Sequence, residues 1–260
     1  MTLSQNSTNM LRKLLEVVAG FSELATIRFG PTAMRLQTMD ISHVCLVDIC
    51  LPDSWFETYK CVSHVEMSTS LRMLVKMLGC IESGQRAWLR EVDTKLGHGW
   101  ELELSGGEGT FTKTFGIPQY DLEGELLELP DNDAHVDFVM NAARWAKTID
   151  ELAIFGPVLN VTCGDDGTTL HTEETTQNTK MTCLIGMDDV ASYDASDDTF
   201  TVYFPIAMIQ QASAARHAAC LGPVAAVTVH VTEERPIDMV FDLGNGAESR
   251  FIVAPRTDAD

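Results

Sequence analysis

Apolar residues along this chain follow two periods. Leu11, Leu14, Leu15, Val18 and Phe21 recur at helical spacing, as do Leu71, Leu74, Val75 and Leu78, so each stretch is expected to be an amphipathic helix. Two more helices are expected at 138–153 and 205–218, the latter rich in alanine. Between them lie short alternating or apolar runs with strand character: TIRFG, MRLQTM, HVCLVDICL, AWLREV, WELELS and TFTKTF, then LNVTC, TTLHT, MTCLIGM, FTVYF, AAVTVHV, IDMVFDL and RFIVA. Turn signals such as GDDG and LGNG separate many of them. The fold class expected is α+β, with antiparallel sheets and four helices packed on one side.

The pattern repeats. With a shift of 134 residues, 11–30 falls on 145–164: Leu15 meets Ile149, Val18 meets Leu152, Phe21 meets Phe155 and Gly30 meets Gly164. Leu36 then meets Leu170, and a four-residue insertion brings Cys45-Leu46-Val47 onto Cys183-Leu184-Ile185. A repeat this long implies a duplicated domain, not a solenoid. The expected organisation is 1–116, a connector at 117–134 rich in acids and prolines, and 135–260.

Composition changes the picture mainly through charge. The 260 residues carry 18 Lys and Arg against 38 Asp and Glu, a net charge of -20, which at first argues against a polyanionic partner. Yet Arg12, Lys13, Arg72, Lys76, Arg144, Lys147 and Arg216 fall on the four helices. Arg72 and Lys76 are four apart and Arg144 and Lys147 three apart, so each pair shares a helix face. An acidic body with cations gathered on helices can hold a duplex by its phosphates; the alternative is an ordinary solvated helix face. No apolar run reaches the 18 residues of a membrane span, and MTLSQNSTNM offers no signal region, which argues against secretion. The seven cysteines form no CxxC pair, which points to reduced, buried thiols and away from zinc.

Catalytic motifs are missing. There is no GxxxxGK[ST], no GxGxxG after a strand, no HExxH and no GxSxG. The acidic doublets Asp165-Asp166, Glu173-Glu174, Asp188-Asp189 and Asp197-Asp198 mostly flank Gly or Thr, as turn residues do. Asp40, Ser42 and His43 invite a triad reading, but triad members converge from separate segments and no strained glycine elbow surrounds Ser42. Asp40 and Ser42 are expected to hold a local turn through side-chain hydrogen bonds, with His43 on a rim and no proton transfer. No cofactor or metal is implied.

LQTMDISHVCLV (36–47) resembles the LQ-x-MD-x-SHV-x-L signature of eukaryotic-type sliding clamps, the proliferating cell nuclear antigen family. The match runs in order through TYKC (58–61), MSTSLRMLVKMLGC (67–80, expected as a helix), ELLELP (125–130), VTCGDDG (161–167) and VAPR (253–256). The resemblance implies a homotrimeric ring of six similar domains around duplex DNA, helices inward and sheets outward. Its partners would be DNA without sequence preference, DNA polymerase and other replication and repair clients, a clamp loader and itself, in the nucleus or a viral replication compartment; no membrane is involved. The function implied is a polymerase processivity factor with no catalysis of its own.

Two further sites follow. Phe111, Lys113 and Phe115 alternate on what reads as an uncovered edge strand, and such an edge invites another chain. Pairing with Lys180 and Met181 in the 179–187 region of a neighbour would close a ring. Met39, Val44 and Leu46 beside His43, with Leu127, Leu129 and Pro130 of the connector, offer apolar surface. By resemblance, Pro236, Ala254 and Pro255 complete a pocket for a client peptide of the form Q-x-x-[aliphatic]-x-x-aromatic-aromatic.

The chain also departs from the family. Residues 1–8 are too polar for its opening strand, which is expected to fray. Asp165 replaces a lysine that is modified by ubiquitin or SUMO, Ala19 and Asp150 replace basic residues, and Glu128-Leu129 replaces Gly-Ile. These mark a divergent member, with viral origin among the readings. Other readings of the residues are a subunit of a hetero-oligomeric ring, a non-ring viral processivity factor, a metal-dependent hydrolase using the doublets, and a generic interaction module.

Overall fold

The computed structural model describes residues 1–94, 97–122, 126–129, 134–174, 176, 178–196 and 199–256. The first half contains β1 (Thr2–Leu3), α1 (Gln5–Phe21), β2 (Leu24–Phe29), β3 (Ala33–Met39) and β4 (Cys45–Pro52). It continues with β5 (Val65–Ser70), α2 (Leu71–Leu78), β6 (Arg86–Thr94), β7 (Gly97–Ser105) and β8 (Lys113–Ile117). The second half contains β9 (Val136–Asn141), α3 (Ala142–Leu152), β10 (Val158–Gly164), β11 (Gly167–Glu174), β12 (Thr179–Gly186) and β13 (Ser192–Ala195). After these come β14 (Phe200–Pro205), α4 (Ile206–Ser213), α5 (Arg216–Ala219), β15 (Ala226–Val231), β16 (Ile237–Gly244) and β17 (Ala247–Val253). Among the described residues, no helix is long and apolar enough to cross a membrane.

Four helices start directly from strands; at three of these junctions a polar residue caps the first turn, whereas α4 follows Pro205 without a side-chain cap. The Ser7 N–H donates to Ser4 Oγ at 3.0 Å, Met73 N–H to Ser70 Oγ at 3.4 Å, and Ala143 and Arg144 N–H both donate to Asn141 Oδ1 at 3.0 Å. Each cap is worth about 1 kcal/mol. Several expected boundaries are corrected. Met67–Ser70 belongs to β5, with Met67 opposite Ile27 and Thr69 opposite Ala25, so sheet pairing overrides the helical reading of 67–80. Residues 138–141 extend β9, since the apolar run Phe138-Val139-Met140 fits either period. The helix expected at 205–218 breaks into α4 and α5 just after Ser213, whose hydroxyl bonds back to the Ile209 carbonyl at 2.7 Å. Residues 1–8 divide between β1, whose Leu3 is buried, and the first turn of α1.

Three sheets result. One has the order β1-β6-β7-β8, a second β12-β11-β10-β14, and a nine-stranded sheet runs β13-β9-β15-β16-β17-β4-β3-β2-β5. The starts of β2 and β10, β3 and β11, and β4 and β12 are each 134 residues apart. Register removes the expected insertion. Leu36 lies opposite Ile49 and Leu170 opposite Cys183, so Cys183 corresponds to Ile49 and not to Cys45. The halves also differ at their first strands. β9 has six residues against two in β1, and beside β6 a cleft of about 310 Å³ is lined by Met1, Phe29, Val62, Leu89 and Trp100.

The nine-stranded sheet joins the halves where β17 pairs with β4, from Glu248 opposite Cys50 to Val253 opposite Cys45. Its inner face buries Val47, Ile49, Phe241 and Phe251 beneath the helices, with Phe21 of α1 against Phe251 at 5.9 Å. Its outer face alternates away from them, carrying Arg35, Gln37 and Met39, then Leu46 and Asp48, then Arg250, Ile252 and Ala254.

Candidate functional site

The turn at Asp40 shapes one end of the outer face. Its carboxylate accepts N–H bonds from Ser42 at 2.9 Å and from Val44 and Cys45 at 2.7 Å. Burial alone would raise this carboxyl, but the three donors outweigh it and hold it below its ordinary value. Ser42 contributes its backbone N–H, a correction to the expectation that its side chain holds the turn. His43 completes the turn with a positive φ of 57° and stays exposed beside Ser42, so no triad converges here. Burial, with Asp40 nearby, pushes the Cys45 thiol up to about 12, and burial pushes Cys163 to about 11, so both stay neutral. Only these two of the seven cysteines are buried, fewer than expected.

Beyond the turn, a cleft of about 280 Å³ lies between the sheet and the connector. Met39, Leu46 and Leu127 line it, together with Leu24, Gln37 and Leu122. A second group forms a row at the sheet's end. Ala254 donates its N–H to the Val44 carbonyl at 2.8 Å, and Ile237 pairs with Val253, which sets Pro236 beside Ala254. Ile252, opposite Leu46, connects cleft and row. His43, Leu129 and Pro255 do not line the cleft, and Pro130 lies outside the described residues. Gln37, Leu122 and Ile252 were missed, although strand alternation from Met39 and Ala254 points to Gln37 and Ile252.

The helices form one layer on the opposite face, α1 packing on α2 and α5, and α3 on α4 and α5. Most of the seven cations are tied to acids. Arg12 and Lys13 bond Glu16 at 2.5 and 3.0 Å, Arg144 bonds Asp189 at 3.0 Å, Arg216 bonds Asp150 at 3.0 Å, and Lys147 makes a looser ion pair with Glu151 at 3.7 Å. Arg72 and Lys76, both exposed on α2, make no ion pair among the described residues. Two of the acids, Glu16 and Glu151, were legible at helical spacing; Asp150 and Asp189 reach their partners only through the fold. Among the described residues, no three His, Cys, Asp or Glu side chains gather as a metal site, and Asp197-Asp198 lies outside those residues.

Two of the sheet edges bear on assembly. β8 ends one four-stranded sheet and β12 the other. Phe111 precedes β8 and does not alternate within it: its carbonyl accepts from Gln85 Nε2 at 2.9 Å, while the residue is 81% exposed. Lys113 Nζ bonds the Cys80 carbonyl at 2.7 Å and pairs with Glu82, turning back onto its own chain. Phe115 is half-buried. On β12, Met181 and Cys183 face the core side half-buried, Lys180 is exposed, and Leu184, missed in the sequence, is 66% exposed.

The sequence model described as proliferating cell nuclear antigen, N-terminal domain, matches residues 2–96. The proliferating cell nuclear antigen of Caenorhabditis elegans is 25% identical over 266 residues, covering 98% of this chain and 96% of that protein. Proliferating cell nuclear antigen 2 of Drosophila melanogaster is 24% identical over 162 residues, covering 62% of this chain and 63% of the relative. The Dictyostelium discoideum protein is 24% identical over 159 residues, 61% of each.

Proposed function

The chain belongs to the proliferating cell nuclear antigen family, and on that premise we propose that it is a DNA sliding clamp, a processivity factor working as a homotrimeric ring. The observation that carries the ring is internal. β17 joins β4 within the chain, while their counterparts in the other half, β8 and β12, are both open edges. A head-to-tail contact between β8 of one subunit and β12 of the next repeats the join already made inside each chain. Such a heterologous contact closes when the rotation per subunit divides a full turn. The domains on this reading are 1–116 and 135–260, linked by 117–134.

The helix layer faces duplex DNA through Arg12, Lys13, Arg72, Lys76, Arg144, Lys147 and Arg216. Five of these are partnered by carboxylates, so the lining attracts phosphates weakly and reads no bases. A clamp that holds its track by topology gains from that, since tight phosphate contacts would hinder sliding. Polymerase and other replication and repair clients dock on the opposite face, in the cleft at Met39, Leu46 and Leu127 and along the row at Val44, Ala254 and Pro236. A loader opens the ring, the compartment is the nucleus, and the chain carries no catalysis of its own.

Sedimentation of the pure protein, with retention on nicked circular against linear duplex after loading, tests the proposal. The expected results are three subunit masses and loss of retention when the circle is cut. A monomer, or equal retention on both substrates, overturns it.

A further inference from the structure

On the outer face of the nine-stranded sheet, one side chain holds the connector at Leu127, beyond its backbone and side-chain bonds to β5 at Tyr120 and Pro118. Gln37 of β3 accepts the Leu127 N–H at Oε1 (2.6 Å) and donates from Nε2 to the Leu127 carbonyl (3.1 Å). One amide thus satisfies both backbone groups of one connector residue, as a neighbouring strand would. The same Nε2 donates to Asp48 Oδ1 at 3.2 Å. Asp48 is buried and is itself held by Arg35 through bonds of 2.8 and 3.1 Å. A carboxylate only accepts, so Asp48 fixes which end of the Gln37 amide faces it and leaves Oε1 for the Leu127 N–H. Among the described residues, these two bonds are the only hydrogen bonds joining 126–129 to the sheet.

We propose that Gln37 is a positioning residue for the client cleft, a latch that holds Leu127 over Met39 and Leu46, with Asp48 and Arg35 keeping its amide in the latching orientation. The inference rests on the reading of that cleft as a client-docking site. Leu127 is 48% exposed, so its own apolar contacts do not fix it. With the latch made, the wall of the cleft is in place before a peptide arrives, and binding does not bear the cost of ordering the connector.

The test compares the full-length protein with Gln37→Met, which keeps length and bulk but loses every bond, and with Gln37→Glu. Amide exchange in the absence of any peptide reads the latch: Leu127 is expected to be protected in the parent and unprotected in Gln37→Met, with exchange in β3 and β4 unchanged. Calorimetry with a synthetic Gln-x-x-Leu-x-x-Phe-Phe peptide reads the consequence. Binding should weaken roughly tenfold in Gln37→Met, the scale of two ordinary hydrogen bonds. Gln37→Glu sets a carboxylate against Asp48 and the Leu127 carbonyl; it should bind as weakly at neutral pH and recover as the pH falls and the new carboxyl gains a donating proton. Equal Leu127 exchange in parent and Gln37→Met, or equal peptide affinity, overturns the latch. A parent that binds no such peptide removes the client reading instead, and the exchange comparison still decides whether Gln37 holds the connector.

Discussion

Phe115 on β8 and Phe251 on β17 stand at the same place in the two halves, two residues before their strands end at Ile117 and Val253, yet only Phe251 is fully buried. Phe251 lies opposite Val47 of β4, and the counterpart of Val47 on β12 is Met181. In the proposed ring, the half-burial of Phe115 and of Met181 is that of two pieces of a core which a second chain closes. Phe115 should meet the partner subunit's Met181.

Phe115→Asp is accordingly expected to give monomers in sedimentation, because a strand-pairing interface would then bury an unpaired charge at a cost of about 3 kcal/mol or more. Phe111→Asp should weaken the ring less, since Phe111 lies outside the strand. A Phe115→Asp protein that keeps the parental mass places the interface elsewhere.

The helices proposed to face DNA carry a prediction with an unusual sign. Arg72→Gln with Lys76→Gln should reduce retention on duplex more than Arg12→Gln with Lys13→Gln, because Glu16 already engages the latter pair. Each lost phosphate contact should lower the slope of log affinity against log salt by roughly one unit. Glu16→Gln, which removes an acid from the lining, should raise retention. Retention measured at several salt concentrations checks all three, and a Glu16→Gln protein with weakened retention contradicts the proposed orientation of α1.

The sequence made the periods legible but not the register. Cys45-Leu46-Val47 was matched to Cys183-Leu184-Ile185 because a slip of four residues returns every side chain to the same face of a strand. Apolar alternation cannot detect such a slip; only hairpin pairing, which sets Ile49 and Cys183 in corresponding positions, does. The cations on the helices could be read directly, whereas Asp189 and Asp150 come to Arg144 and Arg216 from distant or neighbouring elements. Gln37 escaped for a different reason: a polar residue on the outward face of a strand is what the pattern demands in any case, and its partner at Leu127 is ninety residues away.

Asp40 predicts how the turn responds to acid. Its carboxyl is held below its ordinary value of 3.8, so the stabilisation it supplies is fully present above that pH and is lost as pH falls through the depressed value. Asp40→Asn offers a single acceptor oxygen and sets an N–H₂ against backbone donors, so it should cost roughly 1–3 kcal/mol at neutral pH. The difference between parent and variant in urea unfolding should shrink below about pH 4. A difference that stays constant from neutral pH down through that range would mean the carboxylate is not what holds the turn.

The proposed client cleft makes the last prediction, and it separates residues that the sequence grouped together. Met39, Leu46 and Leu127 line one cleft, whereas Leu129 is partly buried outside it. Binding energy concentrates in apolar contacts that are fully desolvated when the partner is seated. Met39→Ala with Leu127→Ala should therefore remove roughly 2 kcal/mol or more of the affinity for a Gln-x-x-Leu-x-x-Phe-Phe peptide. Leu129→Ala should change it by well under 1 kcal/mol, and both proteins should sediment as the parent does, since β8 and β12 are untouched. The row at Val44, Ala254 and Pro236 should take the peptide's glutamine end, so that Ala254→Glu weakens the full peptide while leaving a shortened Leu-x-x-Phe-Phe peptide unaffected. Calorimetry with the two peptides against the three variants decides it. If Leu129→Ala costs as much as the Met39 and Leu127 pair, the peptide lies along the connector and not in the cleft beneath it.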